Sequence, residues 1–375
     1  MDNAVSQQDI NSLIHRMEKL EKKKITKPRT SVKVKGKEIL LRKAYKEPKF
    51  HHKTVLTHDT WRYVDIFLKG MRNKEGDKAR KYWEQARQFY IASKQLKEYA
   101  SPLTLYYSYL NAIKALLYSK KHRFVDTYHG ISSLDNDDSI SIYSERIRLC
   151  KEGVLPGLCE YYGEDSCENV EYSLKWVLYN IPYIHRAFSL TYSGSSNLFI
   201  PIMNPMFVYD SKTKEIWLES ELEQKYSNKT TLNMLKNFEI DDYYNKNNYV
   251  IKSKEKLKVN TSYCLQEKDI GKFLTFYQCI RKNVDYIHGP KDLWYIKRSH
   301  ISNSINRTTM VLTLAAMHKL SSLARYHPER LEKYLSKNTH WLLSEFIHIS
   351  PDQFIDQIAC EITGCNLQIP GIKIE

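Results

Sequence analysis

Residues 101–134 read SPLTLYYSYLNAIKALLYSKKHRFVDTYHGISSL, and this stretch decides most of what the chain can be. Ser101-Pro102 is a helix-start signal, Ser as the cap and Pro at the first helical position. Leu103, Tyr106, Tyr107, Leu110 and Leu117 line one side of the helix that follows. Leu105, Tyr109, Ala112 and Leu116 line another. A helix apolar on every side is expected at the centre of a core. After it the chain turns basic and closes on His129-Gly130.

Working outward, two amphipathic helices precede this one. Trp61, Val64, Phe67, Leu68 and Met71 make the apolar face of the first. Ala79, Tyr82, Trp83, Ala86, Phe89 and Tyr90 make that of the second, with Asn73 to Gly76 as the break. Downstream, residues 136–160 read as strands and turns, 170–190 as helix, and 197–221 as a hairpin around Ser211–Lys214. Residues 225–260 are polar and poorly periodic, an insertion by composition. A helix is expected over 267–288, a helix pair over 301–325 and 328–348, and a capped helix over 351–363. With only 12 Gly and 11 Pro in 375 residues, breakers are scarce. The expected fold class is α+β, predominantly helical, a helical bundle with a small inserted antiparallel sheet. The expected organisation is a basic N-terminal arm, 1–56, and a body, 57–375. The body divides into a helical hairpin region (57–134), a mixed strand and helix insertion (135–266) and a C-terminal helical region (267–375).

Charge is concentrated. The net charge is +15, and residues 22–53 alone contribute +11. Such a block suits a phosphate-rich partner, because cations laid along a polyanion release its counterions; the same block also serves as a solvated tail. Lys22, Lys23, Lys24, Lys27, Arg29, Lys33, Lys35, Lys37, Arg42 and Lys43 are the candidate nucleic-acid contacts. Ahead of them, Ile10, Leu13, Ile14, Met17 and Leu20 mark a short amphipathic helix over 7–24. The segment SVKVKGKEILLRKAY, with Gly36 between two short runs, suggests a hairpin or an extended arm.

Several chemistries lack their signatures. The chain contains no Walker loop, GxGxxG or GxSxG. Its seven cysteines form no CxxC pair, so neither a zinc site nor a cofactor is expected. An odd, scattered set reads as reduced thiols in a cytoplasm. No apolar run approaches the ~20 residues of a membrane span. Arg325-Tyr326-His327-Pro328-Glu329-Arg330 is the densest polar cluster between helices. It serves as a helix end and start, and Arg325, His327 and Arg330 are the candidates for anion binding at that start.

The Trp83/Ala86/Tyr90 helix, SPLTLYYSYLNAIKALL, His129-Gly130, VEYSLKWVLYNIPYIHRAF and LAAMHKLSSLARYHPERL together resemble the YaaC-like family of bacterial proteins. That resemblance spans most of 57–349 and implies no settled activity. NAIKALLYSKK with YHGISSL is also similar to the helical hairpin of HEPN domains, many of which are metal-independent ribonucleases of defence and toxin systems. That resemblance implies an Arg and a His with four to six residues between them, assembled across a homodimer. Arg would hold the scissile phosphate and His would move the proton of the attacking 2′-hydroxyl. Arg281 and His288 fit this spacing, with Arg123 and His129 as the alternative; Phe124 and Lys282 stand where a polar residue usually follows the Arg. A surface or capping role is the plainer reading of both histidines. The functional expectation is therefore an intracellular nucleic-acid-associated protein, RNA ahead of DNA, acting as such a ribonuclease. The alternative is a non-enzymatic interaction protein whose basic arm binds nucleic acid or an acidic partner, one encoded nearby among the candidates.

Overall fold

The computed structural model describes residues 29–370 apart from 135–140, 166, 169, 227–230, 232, 236, 242–248, 261 and 291–292. The amphipathic helix expected over 7–24, and Lys22, Lys23, Lys24 and Lys27, lie outside the described residues. Of those described, 45% are helical and 21% are in strands.

In chain order, short strands β1 (Arg29–Ser31), β2 (Lys33–Val34), β3 (Lys37–Glu38) and β4 (Val55–Leu56) come first. Helices α1 (Thr60–Lys69), α2 (Lys74–Ser93) and α3 (Ser101–Ser119) follow. Next are β5 (Ile131–Leu134), β6 (Arg146–Leu149), α4 (Val154–Tyr162), β7 (Val170–Ser173), α5 (Leu174–Tyr179) and α6 (His185–Thr191). Strands β8 (Phe199–Asp210), β9 (Glu215–Leu222), β10 (Phe238–Ile240), β11 (Tyr249–Ser253), β12 (Leu257–Lys258) and β13 (Cys264–Leu265) lead to α7 (Glu267–Arg281). The chain ends on β14 (Val284–Ile287), β15 (Leu293–Lys297), α8 (Thr309–Tyr326), α9 (Pro328–Leu335), α10 (His340–Thr363) and β16 (Leu367–Gln368).

Two hydrophobic cores result. The larger gathers α1–α6, α8, α9 and α10 around α3, whose Tyr106, Tyr109, Ala112, Ile113 and Leu116 are wholly buried. The first residue of α3 is Ser101 and its cap is Ala100, one position from the expected start. The second core lies under a sheet ordered β10-β11-β9-β8-β15-β14, with β1 and β12 added at β8 and β9. Strand β8 organises it. One edge pairs with β9 across a bulge between Met203 and Met206. The other edge pairs with β15 through Phe199–Ile202 and with β1 through Val208–Asp210. Helix α7 covers this sheet with Phe273, Phe276, Tyr277 and Ile280.

The expected helical bundle with a small inserted sheet is therefore incorrect: the protein is mixed α/β, with a curled eight-stranded antiparallel sheet that has its own core. The hairpin around Ser211–Lys214 is its seed, but the strands that complete it arrive from three distant parts of the sequence. Most are only two to five residues long, too short for a period to show. For the same reason the helix expected over 267–288 ends at Arg281, and 284–287 is a strand. The helix expected at 351–363 is the second half of α10, which contains Pro351.

The described part of the basic segment is not a free arm. β1 sits in the main sheet, and Val32, Val34, Ile39, Leu41 and Phe50 belong to the second core. Alternation of apolar and basic residues there is that of a half-buried strand.

His129-Gly130 has a backbone explanation. Gly130 has φ +78°, and Gly153 comes so close that a Cβ on it would lie 2.4 Å from the Gly130 nitrogen. Only glycine allows this approach, which sets the start of α4 against β5.

Candidate functional site

The seam between the two layers is built on residues 42–46. Tyr277 in α7 accepts the Arg42 N–H (3.1 Å) and donates to the Arg42 carbonyl (2.7 Å). From α10, Glu361 accepts the Tyr45 N–H at 2.7 Å. Lys43 lies between the layers, 1% exposed, with its ammonium 3.1 Å from Asp356, 3.0 Å from His288 Nδ1 and 2.8 Å from the Leu367 carbonyl.

Arg281 and His288 both meet this seam, in different ways. The Arg281 guanidinium donates to the carbonyls of Arg42 and Lys43, each at 3.1 Å, and to that of Val284. It is 7% exposed and lies over the Trp294 ring. An arginine holding three carbonyls fastens chain segments together. His288 exchanges hydrogen bonds with the Gln353 side chain through its backbone N–H and carbonyl, and lines a separate cavity of about 420 Å³ with His58, Asp352 and His348. The two residues do not face one cleft.

The alternative pair is also divided. Arg123 is exposed. His129 Nδ1 is 2.8 Å from the Tyr106 hydroxyl, and its pKa is lowered by burial and then by Lys114 and Arg325. Tyr106 touches His318 edge-on, and burial holds His318 down at about 3. The structure thus brings His129 near Arg325, residues the sequence had assigned to two different candidates.

The corner after α8 carries its own anion. Arg330, 8% exposed, donates to Glu145 at 2.7 Å; Lys319 meets the same carboxylate at 3.0 Å, and the Tyr334 hydroxyl donates to it at 2.6 Å. Glu145 is thus the anion that the Arg330 side chain meets within the chain. Arg325 is exposed, and His327 reaches Glu329 at 4.0 Å.

Among the cations of the basic segment, Arg29 is buried against Asp241 and Glu219. Arg42 donates to the carbonyls of Phe50 and His52, both at 2.8 Å. With Lys43 these three are structural. Lys33 is half-buried, and Lys35 and Lys37 are exposed. Lys37 donates to the His51 carbonyl, and the His52 N–H to that of Lys49. His52 is lowered by burial and then by the charges of His51, Lys49, Lys37 and Arg42.

A cavity of about 210 Å³ opens along the seam. Its walls are Tyr45, the turn Tyr162–Asp165, the end of α7, β14, the start of α8 and the middle of α10. Glu164 holds one side together. It accepts the Thr308 N–H at 2.7 Å and pairs with Arg307 at 3.3 Å. On the opposite side, Thr309 donates to Asp285 at 3.0 Å.

Sequence reading missed Glu145, Asp356 and Tyr162. Lys319 left a signal, a charge inside the apolar run TLAAMHKLSSLA of a central helix. Glu145 sits in a segment with no sustained period, and Asp356 lies on the helix expected over 351–363, where a single acid reads as part of a polar face. Among the described residues no group of three or more His, Cys, Asp or Glu is arranged to hold a metal, and no helix is long and apolar enough to cross a membrane.

These features define a two-layer α/β protein whose buried charges lock sheet to helices around a seam cavity. The chain belongs to the YaaC-like protein family, whose model matches residues 18–362. No curated protein and no solved structure matches it.

Proposed function

We propose that this YaaC-like chain is a non-enzymatic, cytoplasmic binding protein for an anionic macromolecule, with nucleic acid, RNA before DNA, as the partner. The observation that carries the reading is the cationic group Lys35, Lys37, Lys49, His51, His52 and Lys53. It gathers at the first hairpin, with Lys35, Lys37, His52 and Lys53 exposed. Burial, and then repulsion from His51, Lys49, Lys37 and Arg42, lowers the pKa of His52. A polyanion relieves such repulsion and releases counterions. The commitment of Arg281 to three carbonyls, away from the cavity of His288, favours binding over cleavage.

The test is fluorescence anisotropy with a labelled single-stranded RNA and its DNA counterpart, across a salt series with EDTA present. Each single-strand phosphate contact contributes about 0.7 to the slope of log K against log salt, so replacing Lys35, Lys37 and Lys53 by Ala should reduce the slope by about 2. An unchanged slope moves the contact elsewhere, and no binding at low salt rejects a nucleic-acid partner. RNA cleavage abolished by His288→Ala would replace the binding reading with the ribonuclease one.

A further inference from the structure

We propose that the seam cavity is a small-molecule site that takes a compact ligand with an oxyanion head, carboxylate or phosphate, docked at the N-terminus of α8. The helix starts at Thr309 with no side-chain cap, and Thr308 precedes it in extended backbone. Among the described residues the N–H groups of Thr309, Met310 and Val311 have no partner. Thr309 and Met310 line the cavity, so the positive end of an 18-residue helix is directed at it.

A helix end is not by itself a site; the unpartnered side chains around it are the second observation. Tyr162, 2% exposed, and Tyr45, 4% exposed, both line the cavity, and neither hydroxyl has a hydrogen-bond partner. The buried Thr308 hydroxyl is also unpartnered. A buried polar group left unmatched costs stability. All three hydroxyls belong to residues that line one cavity, and a ligand there is the partner they lack. Both tyrosine hydroxyls lie within electrostatic reach of Arg281 and Glu164, which line the same space.

The charges choose the sign of the ligand. Glu164 is matched by Arg307 and by the Thr308 N–H, Asp285 accepts the Thr309 hydroxyl, and the cations Arg281, Lys282, Lys297 and Arg307 outnumber the carboxylates Glu164, Asp165 and Asp285 on the lining. Lys282 reaches the Gly163 carbonyl at the rim, and Lys46 stands near enough for the Lys282 charge to act on it. Two adjacent ammonium groups at the rim and unpaired N–H and O–H donors within it favour an anion. Volume sets the size. About 210 Å³ is below the ~300–1,000 Å³ typical of drug-sized ligands, so a polynucleotide does not enter. Ile305, Met310, Tyr183 and Phe354 give the ligand body an apolar wall.

The experiment is calorimetric titration of the full chain with four probes: inorganic phosphate, phenyl phosphate, acetate and benzoate. Saturable binding of one head group is expected, tighter for the aromatic member of the pair, and the preferred head distinguishes a phosphate from a carboxylate ligand. Loss of one hydrogen bond to a charged group should weaken that binding about 10-fold or more in Tyr162→Phe and in Thr308→Val. Thermal unfolding of each variant without probe establishes that it is folded. Heat-silent titrations with all four probes, or affinities unchanged in both folded variants, would overturn the proposal.

Discussion

The Lys43 ammonium and the Asp356 carboxylate face each other at 3.1 Å between the sheet layer and the helical body, 1% and 6% exposed. Each is on a different side of the seam, so their attraction acts between layers rather than within one. His288, the Leu367 carbonyl and the Tyr286 hydroxyl complete their shells.

Removing one member of that pair strands the other in a low-dielectric interior. Lys43→Met or Asp356→Asn should each destabilise the fold by about 3–5 kcal/mol. The double variant Lys43→Met/Asp356→Leu should recover much of the loss, because two apolar groups need no compensation. Urea unfolding of the three variants checks this. Equal losses in the single and double variants would show that the pair does not hold the layers.

His318 makes stability depend on pH in a defined window. Burial, followed by the charges of His129, Arg325 and Lys319, lowers its pKa from 6.5 to about 3. The unfolded chain therefore takes up a proton below pH 6.5 that the folded one does not. This contribution to stability is fully present above pH 6.5 and is lost progressively as pH falls towards 3. At pH 5 the loss from this group is about 2 kcal/mol. His318→Phe should remove about one proton from the pH dependence of unfolding between pH 6 and 4. A dependence identical to that of the wild type would assign the effect to other groups.

Cys159 and Cys167 are buried with their sulfurs 3.1 Å apart. The hydrogen bond they share raises the Cys159 pKa and lowers that of Cys167, so Cys167 is the more readily deprotonated of the two. Treatment with diamide, which accepts the two electrons and two protons released, should link them and close the loop that carries Glu164. Peptide mapping without reductant should find the 159–167 link, with two fewer of the seven thiols titrating. Seven free thiols after treatment would show that the pair does not reach bonding geometry.

The central helix was legible because its apolar residues cover every face of a 3.6-residue period over five turns. Helices α1 and α2 and the long hairpin were legible for the same kind of reason, a sustained period bounded by breakers. His129-Gly130 was visible as a motif, but its meaning was the close approach of Gly130 to Gly153. Arg281 and His288 had the right spacing and the wrong surroundings. Spacing along a chain does not reveal that three carbonyls hold a guanidinium.

The local periods, the family resemblance, the concentration of positive charge and the position of the buried helix could all be read along the chain. These depend on residues within a few turns of each other. Only the tertiary structure decided that β1, β8, β11 and β15 share a sheet, that Lys43 belongs to Asp356 and Arg330 to Glu145, and that unpartnered tyrosines surround the start of α8. Each of these relationships joins residues far apart in the chain. A buried charge takes whichever opposite charge the packing brings near, and no local pattern records that choice.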